Sequence, residues 1–205
     1  CGAWKPLPFL SASWPLRASQ ADAPHNSIST SFGRTAMPSS VRRVYWDANA
    51  WIGMLNDEPD KRTPLRVIWE AAARGEFSIL TSTYSYLEVM YGLNEHGMPY
   101  PPEENDARVF TMLDQPYVVR VQFDTEIAKM ARSLKRQFHP TLRKRADAVH
   151  LATAAYHNVE AMHTYDGCDL LPLSGLVPRR DGAKLEIVAP GPETHGPLFA
   201  DGRDA

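Results

Sequence analysis

Short apolar runs alternate with segments of helical periodicity from about residue 41 onward. Four runs have the length of buried strands, namely Val44–Trp46, Phe77–Thr81, Tyr117–Val121 and Ala161–Tyr165, and Leu185–Val188 is a candidate fifth. Strands that alternate with helices are typical of a parallel sheet with helices on both faces. The pattern therefore predicts an α/β fold with three α/β/α layers and a central, mostly parallel sheet.

The segments between these runs repeat apolar residues at the spacing of one helix face. Leu65, Ile68 and Ala72 are one such set. Further helices are predicted over Asn49–Leu55, Tyr84–Leu93, Glu103–Leu113, from a capping Asp124 to about Phe138, and over Ala146–Tyr156. In open α/β sheets, ligands bind outside the carboxyl ends of the strands. Polar residues that directly follow a strand are therefore the first candidates for a functional site.

The two ends of the chain lack this periodicity. Residues 1–40 contain scattered proline and serine, and residues 190–205 are rich in glycine and proline. Such compositions are typical of segments that build no packed core. We expect residues 1–40 to be a disordered or non-native extension, residues 41–189 to form one domain, and residues 190–205 to be a flexible tail.

The composition narrows the class of protein. The chain has 205 residues, 43% of them hydrophobic, and a formal net charge of -2, so any nucleic acid would contact a local basic patch. It has no long uncharged apolar run, which argues against a membrane-spanning helix. Its two cysteines provide neither a disulfide framework nor a thiolate metal site, and a cytoplasmic location is expected.

Four acidic residues stand beside apolar runs: Asp47, Glu88, Asp147 and Asp166. A carboxylate that is moved into low dielectric without a partner raises the free energy of the fold, so such residues need a cation, hydrogen bonds or water. Their positions favour one shared site at the edge of the sheet. Carboxylate oxygens are the ligands that Mg²⁺ and Mn²⁺ prefer, so the pattern favours a metal-dependent phosphodiesterase.

Each acidic residue taken alone also has an ordinary explanation. Asp47 and Asp147 stand where they can cap helices, Asp166 lies in a loop, and Glu88 can occupy a solvated helix face. His150 falls on the same helix face as Asp147, where it is a metal ligand, a base or, as we favour, a packed structural histidine.

Four motifs in order resemble the PIN-domain nucleases, and among them the VapC-like toxins of prokaryotic type II toxin–antitoxin pairs. The motifs are VYWDANAWIGML, a glutamate in the Ser- and Tyr-bearing segment after the second strand, RADAVHLATA, and HTYDGCDL. The resemblance covers about residues 42 to 175. It does not extend to the N-terminal segment or to the tail, so neither is assigned a function.

This resemblance implies a PIN-like fold and a Mg²⁺- or Mn²⁺-dependent endoribonuclease, with a small antitoxin protein as partner and a homodimer as the assembly. The family's acidic quartet maps onto Asp47, Glu88, Asp147 and Asp166. Supporting polar positions map onto Asn49 and Thr164, and Asp169 is an added acidic residue near the site. Two other functions stay open: a housekeeping PIN nuclease of RNA processing, and a catalytically silent PIN domain that binds RNA or protein.

A basic segment directly precedes Asp147. Arg143, Lys144 and Arg145 are consecutive, and further basic residues occur one helix earlier. Such a cluster either holds the RNA backbone or forms a solvated charged face. We expect it to contribute to RNA binding.

Overall fold

The computed structural model describes residues 42–89 and 103–191, with the backbone alone at 103–105. The predicted extension over residues 1–40 lies outside the described residues, and so does most of the predicted tail. In the described part, no helix is both long and apolar enough to cross a membrane.

Five short strands and six helices alternate along the described chain. The strands are β1 (Arg43–Trp46), β2 (Ser78–Ser82), β3 (Val118–Val121), β4 (Ala161–His163) and β5 (Glu186–Val188). The helices are α1 (Ala48–Leu55), α2 (Pro59–Ala73), α3 (Ser85–Glu88), α4 (Glu103–Leu113), α5 (Thr125–Gln137) and α6 (Arg145–Tyr156), and a 3-10 turn spans Leu171–Leu173.

The strands form one sheet in the order β3-β2-β1-β4-β5, and every pair is parallel. From β1 the chain first adds β2 and β3 on one side and then returns to add β4 and β5 on the other. The crevice between the carboxyl ends of β1 and β4 is therefore the topological switch point, where α/β sheets bind ligands. Trp46 pairs with His163 in the register, so Asp47 and Thr164 both begin the loops above this crevice.

Helices cover both faces of the sheet because side chains alternate along the central strand. Val44 and Trp46 pack toward α1 and α2, in a core that also contains Trp51, and Tyr45 packs on the opposite face with α5 and α6. Trp46 and Trp51 are fully buried with ring centroids 4.8 Å apart. The predicted three-layer α/β/α architecture is confirmed, and the sheet is wholly rather than mostly parallel.

Two predictions about where helices begin concern residues near the site. Asp124 caps α5 as predicted, since its side chain accepts a hydrogen bond from the Ile127 N–H at 2.9 Å. Capping of α6 by Asp147 is wrong, because that helix already begins at Arg145 and Lys144 occupies the cap position. Asp147 lies instead in the first turn of the helix, where its carboxylate is available for other contacts.

In the part that the structure describes, the helix predicted over Tyr84–Leu93 is shorter than expected. Helix α3 covers only Ser85–Glu88, and Val89 has left the helical conformation. The remainder of the predicted segment, from residue 90, lies outside the described residues. Glu88 is therefore the last residue of a single helical turn.

Candidate active site

Asp47 lies directly after β1 and is 1% exposed. It caps α1, because its Oδ1 accepts from the Ala50 N–H at 3.0 Å, while its Oδ2 accepts from the Thr164 hydroxyl at 2.5 Å. Burial raises the pKa of Asp47, and the charge of His150 with hydrogen bonds from Thr164, Ala50 and the Asn49 side chain opposes that rise. Thr164 and Asn49 thus both form hydrogen bonds to the Asp47 carboxylate.

Asp166 is held by the loop that follows β4. Its backbone N–H donates to the Thr164 hydroxyl at 3.0 Å, and its Oδ1 accepts from the N–H groups of Cys168 at 2.9 Å and Asp169 at 2.8 Å. Burial alone would raise the pKa of Asp166, but the hydrogen bonds from Lys144 and from these two backbone groups outweigh it and lower the pKa. Thr164 therefore joins Asp47 to Asp166 through one hydroxyl group.

Asp147 enters the crevice from the first turn of α6 and is 7% exposed. Its buried Oδ2 has no hydrogen-bond donor, and Lys144 Nζ lies 3.5 Å away from it. Burial raises the pKa of Asp147 to about 6, partly opposed by Lys144 and reinforced by the charges of Asp166, Asp169 and Asp47. Such an oxygen is poorly satisfied in the protein alone and suits a bound cation.

The ammonium group of Lys144 lies between two of the aspartates. Its Nζ donates to Asp166 Oδ2 at 2.7 Å and forms the 3.5 Å ion pair with Asp147. The Lys144 side chain is 58% exposed, so its ammonium group can move into solvent without creating a buried cavity. Lys144 thus supplies the positive charge that a metal ion would supply in the same place.

Asp169 holds the loop before α6 and faces away from open solvent, with 0% exposure. Its carboxylate accepts from the backbone N–H groups of Arg143 and Lys144 at 3.0 and 3.1 Å, and from the Arg143 guanidinium at 2.9 and 2.6 Å. With four donors, it has little capacity left for a metal ion. Asp169 therefore places Lys144, and through it the start of α6, beside the crevice.

Glu88 reaches the site through a hydrogen-bonded histidine. His150 is buried, its Nε2 contacts the Glu88 carboxylate, and its Nδ1 lies 2.7 Å from the Tyr45 hydroxyl. The Tyr45 oxygen also accepts from the Ser82 N–H at 3.1 Å, so one chain of hydrogen bonds joins β2 to Glu88 through Tyr45 and His150. His150 is thus the packed, hydrogen-bonded histidine that the sequence favoured.

The predicted quartet is brought together unevenly. Asp47, Asp147 and Asp166 share one crevice and interact through their charges, whereas Glu88 contacts His150, whose charge acts on Asp47. Among the side chains of residues 42–89 and 106–191, no three His, Cys, Asp or Glu converge closely enough to hold a metal ion. The donor set nevertheless fits Mg²⁺ or Mn²⁺, since it consists of carboxylate oxygens and includes the unsatisfied Asp147 Oδ2.

The predicted RNA-binding segment divides into different roles. Arg143 is bound to Asp169 and Lys144 to Asp166, so only Arg145 faces a surface groove. Sequence reasoning did not assign Lys144 to the acidic site, although its spacing to Asp147, one helical turn apart, is a signal for an ion pair. It also missed Tyr45, whose role depends on β2 and α6 meeting behind β1, and nothing local in the sequence shows that.

The shifted pKa of Asp147 predicts a change in stability. A carboxyl with a pKa of about 6 in the fold and 3.8 outside it destabilises the folded state once it is ionised. The effect is absent below pH 3.8, grows as the pH rises, and is complete above about 6. We therefore expect Asp147→Asn to stabilise the metal-free protein by about 1–2 kcal/mol near pH 7.5, allowing for solvent screening.

Urea unfolding at about pH 7.5 and about pH 4 measures this difference, which should disappear at the lower pH. Asp60→Asn, at an exposed position in the first turn of α2, is the matched control and should change little at either pH. A loss of stability in Asp147→Asn near pH 7.5, or an equal gain at both pH values, would contradict this account of the site.

A family model of the PIN domain matches residues 44–167. Comparison with curated proteins finds no match. Among solved structures, Mycobacterium tuberculosis VapC20, described as a sarcin–ricin loop cleaving toxin, has a TM-score of 0.49 and 11% identity, covering 60% of this chain and 90% of that one. A toxin–antitoxin complex from Klebsiella pneumoniae has a TM-score of 0.47 and 20% identity, covering 72% and 97%. The match to the family model spans more than half of the chain, and the chain therefore belongs to the PIN domain family.

Proposed function

We propose that this protein is a metal-dependent endoribonuclease that cleaves phosphodiester bonds at the crevice between β1 and β4. The observation that carries the proposal is that three aspartates line one crevice at the switch point of the sheet, with Asp147 Oδ2 buried and without a donor. A structural role would pair each buried carboxylate fully, whereas a cation site keeps acceptor capacity open. Membership of the PIN family supports the same assignment.

Asp47, Asp147 and Asp166 are the residues that would hold Mg²⁺ or Mn²⁺. When bound, such an ion neutralises charge on the phosphate and makes bound water a better nucleophile. The protein fixes the ligands beforehand: Thr164 orients Asp47, and the N–H groups of Cys168 and Asp169 orient Asp166. Preorganisation of this kind reduces the rearrangement needed when charge develops on the phosphate.

Glu88 and His150 form the second part of the proposed machinery. The Tyr45 hydroxyl anchors the His150 ring, and His150 then holds the Glu88 carboxylate at the side of the crevice with 22% exposure. A partly exposed carboxylate in this position can accept a proton from an attacking water. We assign Glu88 this role and His150 the role of positioning it.

We also propose, on the sequence resemblance to VapC-like toxins, that the protein is a toxin that is neutralised by a small antitoxin and assembles as a homodimer. Expression alone should then arrest growth, and coexpression with an adjacent small open reading frame should relieve the arrest. Growth that continues despite active enzyme would favour the housekeeping nuclease. An inactive protein that binds RNA or a partner would favour the silent binding module.

Cleavage of a mixed pool of single-stranded and structured RNA tests the nuclease directly. With Mg²⁺ or Mn²⁺ we expect internal cuts that EDTA prevents. Asp47→Asn and Asp166→Asn should each lower the rate by about a hundredfold or more, because each removes charge from the proposed cation site. Asp60→Asn, which removes an exposed carboxylate on α2 outside the crevice, is the control and should cleave normally. Cleavage that persists in the Asp47→Asn/Asp166→Asn double variant would contradict the assignment.

The place of Lys144 predicts a change in metal affinity without any RNA. A divalent cation at Asp147 and Asp166 must displace the ammonium group, so Lys144→Met should raise Mn²⁺ affinity on the order of tenfold. Calorimetric titration with Mn²⁺ measures this. Arg145→Met, which removes a neighbouring charge that has no carboxylate partner in the described structure, is the matched control and should have a smaller effect. Unchanged or weaker binding in Lys144→Met would show that the cation does not replace the ammonium.

A further inference from the structure

A groove of about 510 Å³ lies between α5 and α6, next to the candidate active site. Alanine and valine side chains form its floor, and Lys129, Arg132, Lys135 and Arg145 contribute its cationic side chains. Among the lining residues that the structure describes, none is acidic. Phe123 lies at one end with 43% of its surface exposed.

The two arginines of the groove are available to a ligand, whereas its two lysines are already engaged. Lys129 forms an exposed ion pair with Glu126, and Lys135 donates to the backbone carbonyls of Leu142 and Arg143. Among the side chains described in residues 42–89 and 106–191, no carboxylate pairs with Arg132 or Arg145. A basic groove without carboxylate partners for its arginines is the electrostatic signature of a site for a polyanion.

The positive surface continues beyond the groove. An adjoining cavity of about 580 Å³ shares Arg132 and Lys135 and adds Arg136 and His139. The residues that line the two cavities run from Phe123, just before α5, to His139, just after it, and so span a helix of 13 residues and about 20 Å. The surface is therefore elongated, as a strand of nucleic acid requires.

Both ends of the groove border the acidic site. Arg145 is the first residue of α6, the helix whose first turn carries Asp147. At the other end, the Phe123 ring lies 6.1 Å from Tyr84, and Tyr84 lies 6.2 Å from His150, which contacts Glu88. A strand in the groove would thus reach the proposed carboxylates without leaving the protein surface.

We propose that this groove binds a single-stranded segment of the RNA substrate, with phosphates on Arg132 and Arg145 and one unpaired base stacked on Phe123. The inference rests on the proposed ribonuclease function and adds the surface of this chain that would bind the RNA. An exposed aromatic ring beside a line of cations is the combination that binds single-stranded nucleic acid, because any unpaired base can stack on it. The bases of a duplex are already stacked and offer no free face.

Fluorescence anisotropy with labelled RNA in EDTA tests the proposal, since binding is then measured without cleavage. The probes are a mixed-sequence single strand of about 12 nucleotides and a blunt duplex of the same length. Phe123→Ala should weaken single-strand binding by about fivefold to a hundredfold and leave duplex binding nearly unchanged. Phe110→Ala is the matched control, because Phe110 of α4 is also 43% exposed and also lies beside a tyrosine, Tyr86 of α3, but does not line the groove.

The arginines are tested through the salt dependence of the same binding. Arg132→Ala and Arg145→Ala should each reduce the slope of log affinity against log salt by about 0.7, the value for one phosphate contact on a single strand. Arg74→Ala is the control, because Arg74 is 59% exposed and paired with Glu76 beyond the end of α2. Its slope should stay that of the parent protein.

Equal effects of Phe123→Ala and Phe110→Ala, or salt slopes that do not change in the two groove variants, would overturn the proposal. If the groove variants bind RNA normally but lose binding to a synthetic acidic peptide, the groove is a protein-docking surface instead. If the parent protein cleaves RNA but Phe123→Ala binds the single strand normally, the groove proposal is refuted and the nuclease proposal stands. If the groove variants weaken RNA binding but the parent protein cleaves no RNA, the nuclease proposal is refuted and the groove proposal stands.

Discussion

Three negative charges in one crevice are the constraint on which the rest of this structure depends. Asp47 and Asp147 are buried and Asp166 joins them, so both desolvation and mutual repulsion raise the free energy of the ionised fold. Two donors lower this free energy: the Thr164 hydroxyl from the end of β4, and the Lys144 ammonium from the start of α6. The compensation is incomplete at Asp147 Oδ2, and the proposed chemistry depends on that shortfall.

Some of the surrounding basic residues pair with the acidic side chains, and others face the surface groove. Arg143 is bound by Asp169 and Lys144 by Asp166, so both stabilise the acidic crevice from within the protein. Arg132 and Arg145 face the groove instead. A chain with an overall charge of -2 can in this way present a positive surface next to a negative site. Such an arrangement would attract a polyanion while leaving the carboxylates for a cation.

The alternating pattern of the sequence was sufficient for the layers and for the end of β1, since burial of short strands and the parallel topology follow from it. It predicted that Asp47 and Asp166 would lie at the same edge of the sheet, but it placed the end of β4 at Tyr165. In the structure β4 ends at His163, opposite Trp46, so Thr164 already belongs to the loop that carries Asp166. The detailed contacts were not predictable, because they depend on side chains from distant elements. Lys144 was expected at an RNA surface but contacts Asp166, and Glu88 contacts His150.

The most direct test of the central claim is a crystal structure of the metal-free protein soaked with Mn²⁺, with the ion located by its anomalous scattering. The account predicts one peak or more at the crevice, bound by oxygens of Asp47, Asp147 or Asp166, with the Lys144 ammonium displaced from Asp166. A structure at saturating Mn²⁺ in which Lys144 still contacts Asp166 and the ion lies elsewhere would contradict it. In that case the three aspartates would form a lysine-neutralised structural cluster, and the proposed chemistry would have no site.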